Sequence, residues 1–201
     1  MSSASLISQR SNFWQGQRIR LRAVEPDDWA FFHAWDADTE VARAGYCIPF
    51  PPSAERAKKW AAEVAIAEPK EDAFRWLIEC PLLGSETLDA IPVGTLNTHS
   101  CDRRHGTFGY GVAIGREHWR KGYAAEAIRL VLAYYVRELR YQKCTVHIYA
   151  FNDPSARLHE RLGFQLEGRL RRMIYTDGVY HDELVYGMTA EEFALHHGTS
   201  Y

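Results

Sequence analysis

Hydrophobic and polar positions recur with two different periods along this chain, and the two periods predict both strands and helices. Residues from Ile19 to Val24 alternate between apolar and polar, which is typical of a half-buried strand. After Pro26, a residue suited to a first helical turn, aromatic residues recur at helical spacing from Trp29 to Trp35. Ser53 is a good cap for a second amphipathic helix. The beginning of the chain is therefore predicted to be one strand followed by two helices.

The rest of the chain is predicted to be a meander of strands with two further helices. The predicted strands are Ala73 to Cys80, Ile91 to Thr98, Thr107 to Ile114 and Thr145 to Tyr149. The predicted helices are Ala125 to Arg137 and Ser155 to Leu162, and His99 to Gly106 is predicted to be a polar loop. Asp177-Gly178 lies between two apolar runs, Met173 to Thr176 and Val179 to Met188, which is a strong hairpin signal. Together these elements predict an α+β fold, a mixed sheet flanked by helices.

Length and composition are those of an ordinary globular protein. The chain has 201 residues, of which 46% are apolar and 25% charged, and its formal net charge is −2. We expect one domain at residues 16–190, a flexible arm at 1–15 and a tail at 191–201. The small net charge argues against direct binding to nucleic acid or to an anionic membrane. The sequence has neither a secretory signal nor an apolar run of roughly 20 residues, so a cytoplasmic protein is expected.

Cysteine and histidine positions give no indication of a metal site. The four cysteines, Cys47, Cys80, Cys101 and Cys144, show no CxxC pairing and no metal-ligand spacing. We expect them to be separate reduced thiols. His196-His197 lies near the end of the chain and is interpreted as part of the tail rather than as a metal site.

The segment from Gly115 to Ala124 leaves a predicted strand and enters a predicted helix, and it is the first candidate for chemistry. Such a junction points several backbone N–H groups at one spot beside the positive end of the helix dipole, where a pyrophosphate can bind. Gly122 allows a close approach of the backbone, and Arg120 and Lys121 add charge at the rim. A glycine in a strand–helix turn is common, so a purely structural role stays open for this turn taken alone.

A second polar segment begins at Asn152, where a predicted strand ends. Either Asn152 or Asp153 can cap the following helix, and Pro154 suits its first turn. Gly163 is typical of a helix C-terminus. Alone, the segment is a well-capped helix with no further role, and its spacing from the first turn is what favours a shared function.

At these residues the chain resembles a known family. Trp119-Arg-Lys-Gly-Tyr-Ala124, followed by Glu126-Ala127, is similar to the acetyl-CoA motif Gln/Arg-x-x-Gly-x-Gly/Ala of the GNAT N-acetyltransferase superfamily. Asn152-x-x-Ser155 and the run from Glu160 to Phe164 resemble the second half of that fold.

Both ends of the chain extend the resemblance. Ile19-Arg-Leu-Arg22 and the run from Asp177 to Asp182 are similar to the RimJ/RimL-like branch of the superfamily. That branch contains N-terminal acetyltransferases of ribosomal proteins and many enzymes that act on small amines. The resemblance covers Ile19 to Met188 and implies a mostly antiparallel twisted sheet with a splayed pair of parallel strands and helices on both faces.

The resemblance also implies the reaction and the residues that bind acetyl-CoA. The pantetheine arm would pair with backbone groups of Val112 and Ile114, and the pyrophosphate would bind the amides of Lys121, Gly122, Tyr123 and Ala124. Asn152 would bond the pantetheine amides, and Ser155 would lie near the thioester sulfur. An amine would attack the acetyl carbonyl directly, while a backbone N–H of the first splayed strand polarises that carbonyl. The segment from Tyr46 to Pro52 would border the acceptor.

Some positions depart from the family pattern. Trp119 stands where the motif has Gln or Arg. His159 stands where many members have a tyrosine that protonates the leaving thiolate, and it is equally interpreted as a surface or packing histidine. The resemblance assigns no general base, and His99 is a candidate for that role.

Other functions stay open at this point. The chain could bind acyl-CoA without catalysis, as a regulatory module. A dinucleotide-binding domain is disfavoured because no G-x-G-x-x-G follows an early strand. If the chain is an enzyme, peptide N-termini compete with small amines as acceptors, and a homodimer is a reasonable default.

Overall fold

The computed structural model describes residues 12–45, 48–81 and 90–198, and these form one sheet flanked by helices. The strands are β1 (Arg20–Ala23), β2 (Arg75–Pro81), β3 (Ala90–Asp102), β4 (Thr107–Ile114), β5 (Lys143–Tyr149), β6 (Gln165–Thr176) and β7 (Val179–Thr189). The helices are α1 (Trp29–Ala37), α2 (Thr39–Gly45), α3 (Ala54–Ile66), α4 (Tyr123–Arg137), α5 (Asp153–Leu162) and α6 (Ala190–His197). The predicted α+β class is confirmed.

The sheet is antiparallel except at its centre. Its strand order is β1-β2-β3-β4-β5-β7-β6, and β4 and β5 are its one parallel pair among the described strands. These two strands pair at Thr107 with Lys143 and at Phe108 with Cys144, and no later pair joins them within the described residues. Beyond this point β4 stays paired with β3, and β5 stays paired with β7. The two central strands therefore diverge, and the expected splayed pair is confirmed.

Helices cover both faces of the sheet, as expected. On one face, here called the α4 face, Leu132 of α4 shares a buried core with Leu96 of β3 and Phe108 of β4. On the other face, here called the α1 face, Phe32 of α1 packs with Leu77 of β2. Trp35 of α1 also approaches the end of β4, where a Cβ added at Gly115 would lie 2.8 Å from its Nε1.

The polar loop expected from His99 to Gly106 is shorter than predicted. Strand β3 continues to Asp102, whose Oδ1 accepts hydrogen bonds from the amides of Arg104 (2.8 Å) and His105 (3.0 Å). The prediction was wrong for residues 99–102 because polar side chains on an exposed strand face give the same local pattern as a loop.

Two helices begin earlier than the sequence predicted. Helix α4 begins at Tyr123 and helix α5 at Asp153. Their caps are Gly122, which has φ 82°, and Asn152, whose side chain accepts a hydrogen bond from the amide of Ser155. The caps, and not the first apolar residue of each pattern, set the helix starts.

The predicted hairpin at Asp177-Gly178 is present. Both residues have positive φ, 54° and 75°, as the two central residues of a type I′ turn require. Strand β6 reaches back to Gln165, well before the predicted start at Met173, because the long strand β7 offers it a partner as far as Gly187.

Both ends of the described part of the chain pack on the domain. Trp14 stacks at 4.7 Å between ring centroids on Tyr134 of α4. Residues expected in the C-terminal tail form α6, which starts with a capping box between Thr189 and Glu192 and buries Phe193. The amphipathic pattern of so short a helix did not stand out in the sequence.

The two histidines assigned to the tail lie in α6, and Nε2–H of His197 donates to the carbonyl of Leu162 (2.8 Å). Cys47 lies outside the described residues, as does Tyr46 of the segment expected to border the acceptor. Among the helices that the structure describes, none is both long and apolar enough to span a bilayer.

Candidate active site

The gap between β4 and β5 exposes backbone groups of β4. The amide of Gly115 donates to the carbonyl of Val93 on β3 (3.0 Å), so the odd-numbered residues of β4 bond to β3. The even-numbered residues Val112 and Ile114 therefore point their N–H and C=O groups into the gap. An extended ligand can pair with this edge as an added strand would.

Strand β5 forms the other edge of the gap. The amide of Ala150 donates to the carbonyl of Asp182 on β7 (2.9 Å), so the even-numbered residues of this segment bond to β7. The backbone groups of Thr145 and His147 consequently face β4 across the gap.

The turn between β4 and α4 ends in unpaired backbone amides. Gly122 has φ 82°, a left-handed conformation that favours glycine. The N–H groups of residues 121–124 donate no hydrogen bond to any residue that the structure describes. They lie at the positive end of α4, which is 15 residues long. This arrangement suits a phosphate group, and the exposed side chains of Arg120 and Lys121 lie at its rim.

Trp119 and Tyr123 connect this turn to the sheet through side-chain contacts. Nε1–H of Trp119 donates to the carbonyl of Ile114 (2.7 Å), so the N–H of Ile114 is the group left for a ligand. The hydroxyl of Tyr123 lies 3.3 Å from Sγ of Cys80 on β2. Trp119 thus supplies a structural bond at the position where the family motif has Gln or Arg.

A cation that the sequence did not indicate lies beside these amides. Nη1–H of Arg18 donates to the carbonyl of Lys121 (2.9 Å), and Nε–H donates to Oε2 of Glu126 (3.1 Å). Oε1 of the buried Glu126 also accepts from the amide of Arg18 (2.9 Å). The carboxylate therefore holds the guanidinium next to Gly122, where an added Cβ would lie 2.8 Å from Nη1.

Asn152 connects α5 to α2. Its Oδ1 accepts from the amide of Ser155 (3.2 Å), which makes it the cap of α5. Its Nδ2 donates to the carbonyl of Ala44 in α2 (3.2 Å). Since a primary amide has two N–H groups, one donor of Asn152 is left for a ligand.

Ser155 and His159 are brought together on α5. Nδ1–H of His159 donates to the carbonyl of Ser155 (2.8 Å), and because a carbonyl only accepts, the neutral ring keeps a lone pair on Nε2. Burial lowers the pKa of His159 below its usual value. Near pH 7 the ring is therefore neutral, and Nε2 can accept a proton but cannot donate one.

Two buried polar atoms without partners lie near the closed end of the gap. The ring of His159 stacks on Tyr110 of β4, with centroids 5.9 Å apart. Within the described residues neither Nε2 of His159 nor the hydroxyl of Tyr110 has a hydrogen-bond partner. Burial raises the pKa of the Tyr110 hydroxyl well above its usual value. Because unpaired buried polar atoms are costly, they mark a place where a polar ligand gains hydrogen bonds.

His99 lies on the α1 face, away from Ser155 and His159. Its ring covers Gly109 of β4, where an added Cβ would lie 2.8 Å from Cε1. Burial lowers the pKa of His99, and the electrostatic interaction with the nearby ring of His147 lowers it further. The structure thus separates His99 from the α5 pair and brings it into reach of His147.

Comparison with known proteins shows which family this chain belongs to. A model described as an acetyltransferase (GNAT) domain matches residues 18–165. This chain belongs to the GNAT acetyltransferase family. It is 40% identical over 186 residues to the SPbeta prophage-derived uncharacterized N-acetyltransferase YokL of Bacillus subtilis, covering 92% of this chain and 98% of that protein.

A second relative agrees with this family, and a solved structure agrees with the fold. The uncharacterized N-acetyltransferase YoaA of Bacillus subtilis is 30% identical, covering 85% of this chain and 93% of that protein. The crystal structure of spermidine N-acetyltransferase from Vibrio cholerae in complex with CoA and spermine has a TM-score of 0.73 at 20% identity, covering 89% of this chain and 99% of that one. The protein is therefore an N-acetyltransferase with the GNAT fold, and enzymes of this family use acetyl-CoA.

In this GNAT enzyme the residues that sequence reasoning missed are long-range partners. Arg18 and Glu126 are 108 positions apart, and His147 pairs with Glu183 at a separation of 36. Glu126 follows the turn motif directly, which is the one local signal for its role. Among the described residues there is no group of three or more metal-ligating side chains placed to hold an ion.

Proposed function

We propose that this enzyme binds acetyl-CoA in the gap between β4 and β5 and transfers the acetyl group to a primary amine by direct attack. The observation that carries the proposal is the row of unpaired amides at residues 121–124, next to the unpaired edge of β4. We further propose that the enzyme is of the RimJ/RimL-like type and that its acceptor is a protein N-terminus or a small amine.

The diphosphate would bind the amides of Lys121, Gly122, Tyr123 and Ala124. Arg18, which keeps an exposed guanidinium edge beside Gly122, would add the charge that the motif's own first position lacks. Arg120 and Lys121 would contribute only from the rim, since both side chains are exposed. Backbone amides supply most of this site, as is usual where phosphates bind a helix start.

The pantetheine arm would extend along β4 and pair with Val112 and with the N–H of Ile114. The acetyl carbonyl would then lie near an inward N–H of β4, which would stabilise the oxyanion. Ser155, half-buried in the first turn of α5, would lie near the sulfur. The free donor of Asn152 would bond a pantetheine amide.

In the reaction, the amine nitrogen forms a bond to the acetyl carbon and the carbon–sulfur bond breaks. The thiolate leaves and takes up a proton, and the amine loses one. Holding the amine and the thioester together supplies much of the rate. Because neutral His159 has no proton on Nε2, we propose Ser155 rather than His159 as the donor nearest the sulfur.

The test is a screen for acetyl transfer by mass spectrometry over peptides with free N-termini, polyamines, aminoglycosides and amino acids. Calorimetry should detect acetyl-CoA binding to the wild type and none to Gly122→Trp, whose side chain would displace the guanidinium of Arg18 and strain the turn at its φ of 82°. Ser155→Ala should lower kcat with little change in acetyl-CoA affinity. Tight binding of acetyl-CoA without transfer to any amine would favour a non-catalytic acyl-CoA-binding module instead.

A further inference from the structure

On the α1 face of the sheet, next to the gap, two glycines of β4 form a floor that has no side chains of its own. Gly109 and Gly111 of β4 place no side chains on this face. The ring of His99 on β3 covers this floor at Gly109, and Asn97 borders it at Gly111, where an added Cβ would lie 3.4 Å from Oδ1. His147 of β5 borders it on the other side of the gap. An amine that reaches the gap over this floor passes between histidines.

His147 has the geometry of a general base. Its Nδ1 lies 3.0 Å from Oε2 of Glu183 on β7. A carboxylate only accepts hydrogen bonds, so Nδ1 carries the proton and the neutral ring presents a lone pair on Nε2. The side chain of Glu183 is 13% exposed and that of His147 is 48% exposed, so a fixed carboxylate orients an accessible imidazole.

Other titratable side chains on this face have surroundings that differ from those of His147. His99 faces His147 from β3 and favours its own neutral form, because burial and the interaction with the nearby His147 ring lower its pKa. His181 of β7 lies two residues from Glu183, and its ring packs against Phe151 at 4.8 Å. Further along β5, Lys143 pairs with Glu167 of β6. Of these three histidines, His147 is the one whose ring is oriented by a carboxylate among the described residues, that of Glu183.

We propose that His147, oriented by Glu183, is the general base that deprotonates the acceptor's ammonium group. This inference rests on the proposed function and assigns the base that the family resemblance leaves open. His147 would touch the substrate, whereas Glu183 acts through His147 and is a positioning residue.

The proton balance is simple. Nε2 of His147 takes one proton from the ammonium group, which leaves the neutral amine as the nucleophile. The resulting imidazolium is stabilised by Glu183 and later returns its proton to solvent, because the ring is accessible. His159 cannot fill this role for the same amine, because it lies buried on the α4 face.

The test compares kcat across pH for the wild type and for His147→Gln with the best acceptor from the screen. We expect kcat of His147→Gln to fall about 100-fold or more, the usual contribution of a general base. The acid limb of the wild-type profile should disappear, and acetyl-CoA affinity by calorimetry should stay unchanged. Added imidazole should restore part of the activity of His147→Ala.

Variants of Glu183 test the positioning role, and variants of His99 and His181 are the matched controls. Glu183→Gln should lower kcat with an unchanged KM for acetyl-CoA, and Glu183→Asp should recover part of the loss. His99→Gln and His181→Gln should both keep the acid limb. If His147→Gln keeps its acid limb and kcat, or if either of the other two histidine variants loses the limb, the assignment is wrong. A wild type that acetylates no amine would overturn the proposed function together with this inference, whereas an active wild type with an active His147→Gln overturns the base alone.

Discussion

Glu126→Ala tests whether one buried carboxylate joins the N-terminal segment to the turn before α4, the proposed site of the coenzyme's diphosphate. Glu126 accepts two hydrogen bonds from Arg18, one from the amide and one from the guanidinium, and it lies in the first turn of α4. The substitution removes both bonds and leaves the amide of Arg18 without its acceptor. It also releases the guanidinium from its place beside Gly122.

The expected size follows from these contacts. Hydrogen bonds to a charged group contribute about 1.5–3 kcal/mol in such a setting. A negative charge in the first helical turn adds about 0.3–1 kcal/mol. The bond from the guanidinium counts for less than this range, because the Arg18 side chain is 50% exposed. The free energy of unfolding should therefore fall by about 3 kcal/mol, which for a chain of this size lowers Tm by about 6–12 °C.

Chemical denaturation at 25 °C measures the loss, and calorimetry with acetyl-CoA measures the effect on binding. Glu126→Gln, which keeps an oxygen to accept from the amide of Arg18, should lose about half as much stability. Glu138→Ala is the matched control, because this exposed acid stands at the other end of α4 and should change stability by less than about 0.5 kcal/mol. The reasoning fails if Glu126→Ala unfolds like the wild type, or if acetyl-CoA affinity is unchanged in a folded variant.

Three further substitutions test other parts of the site. Arg18→Ala should weaken acetyl-CoA binding about tenfold, equivalent to about 1.4 kcal/mol, and calorimetry at two salt concentrations should show a smaller salt effect than in the wild type. Asn152→Ala should destabilise the protein by about 1 kcal/mol through the lost cap, whereas Asn152→Ser, which keeps a capping oxygen, should recover most of that loss in denaturant titrations. His159→Phe should change how stability depends on pH. The folded-state pKa of His159 lies below 6.5, so the unfolded chain binds more protons and wild-type stability is lost as pH falls below 6.5. The fall in Tm from pH 7.5 to pH 5.5 should be smaller in His159→Phe, and equal falls would show that the buried ring is not responsible.

Local signals predicted much of this fold because they act over a few residues. The Asp177-Gly178 turn, the Ser53 cap and the Asn152 cap each depend on backbone chemistry that the sequence states directly. The extension of β3 to Asp102 depends instead on its neighbour β4, which a local pattern does not show. The packing of Trp14 on Tyr134 is missed for the same reason.

The candidate site likewise has a part that local sequence predicts and a part that depends on long-range contacts. The row of amides before α4 follows from a strand, a glycine and a helix in sequence order. By contrast, the pairs Arg18–Glu126 and His147–Glu183 join distant strands and helices, and each residue alone resembles an ordinary surface charge. Sequence reasoning could therefore propose the turn before α4 as the coenzyme site and His99 as a candidate base, but it could not indicate His147, whose carboxylate partner lies 36 positions away.

Strand β4 explains why family membership fixes the reaction but leaves the acceptor open. Its even-numbered residues turn their backbone groups toward the gap, and the side chain of Tyr110 at one of them is buried on the α4 face. Its odd-numbered residues Gly109 and Gly111 add no side chains to the α1 face, so residues of the neighbouring elements, such as His99 over Gly109, shape that face. Residues on the α1 face can therefore change without disturbing the edge or the amides that would hold the coenzyme. Acceptor choice should accordingly follow substitutions around Asn97 and His147, and coenzyme affinity should follow substitutions around Gly122.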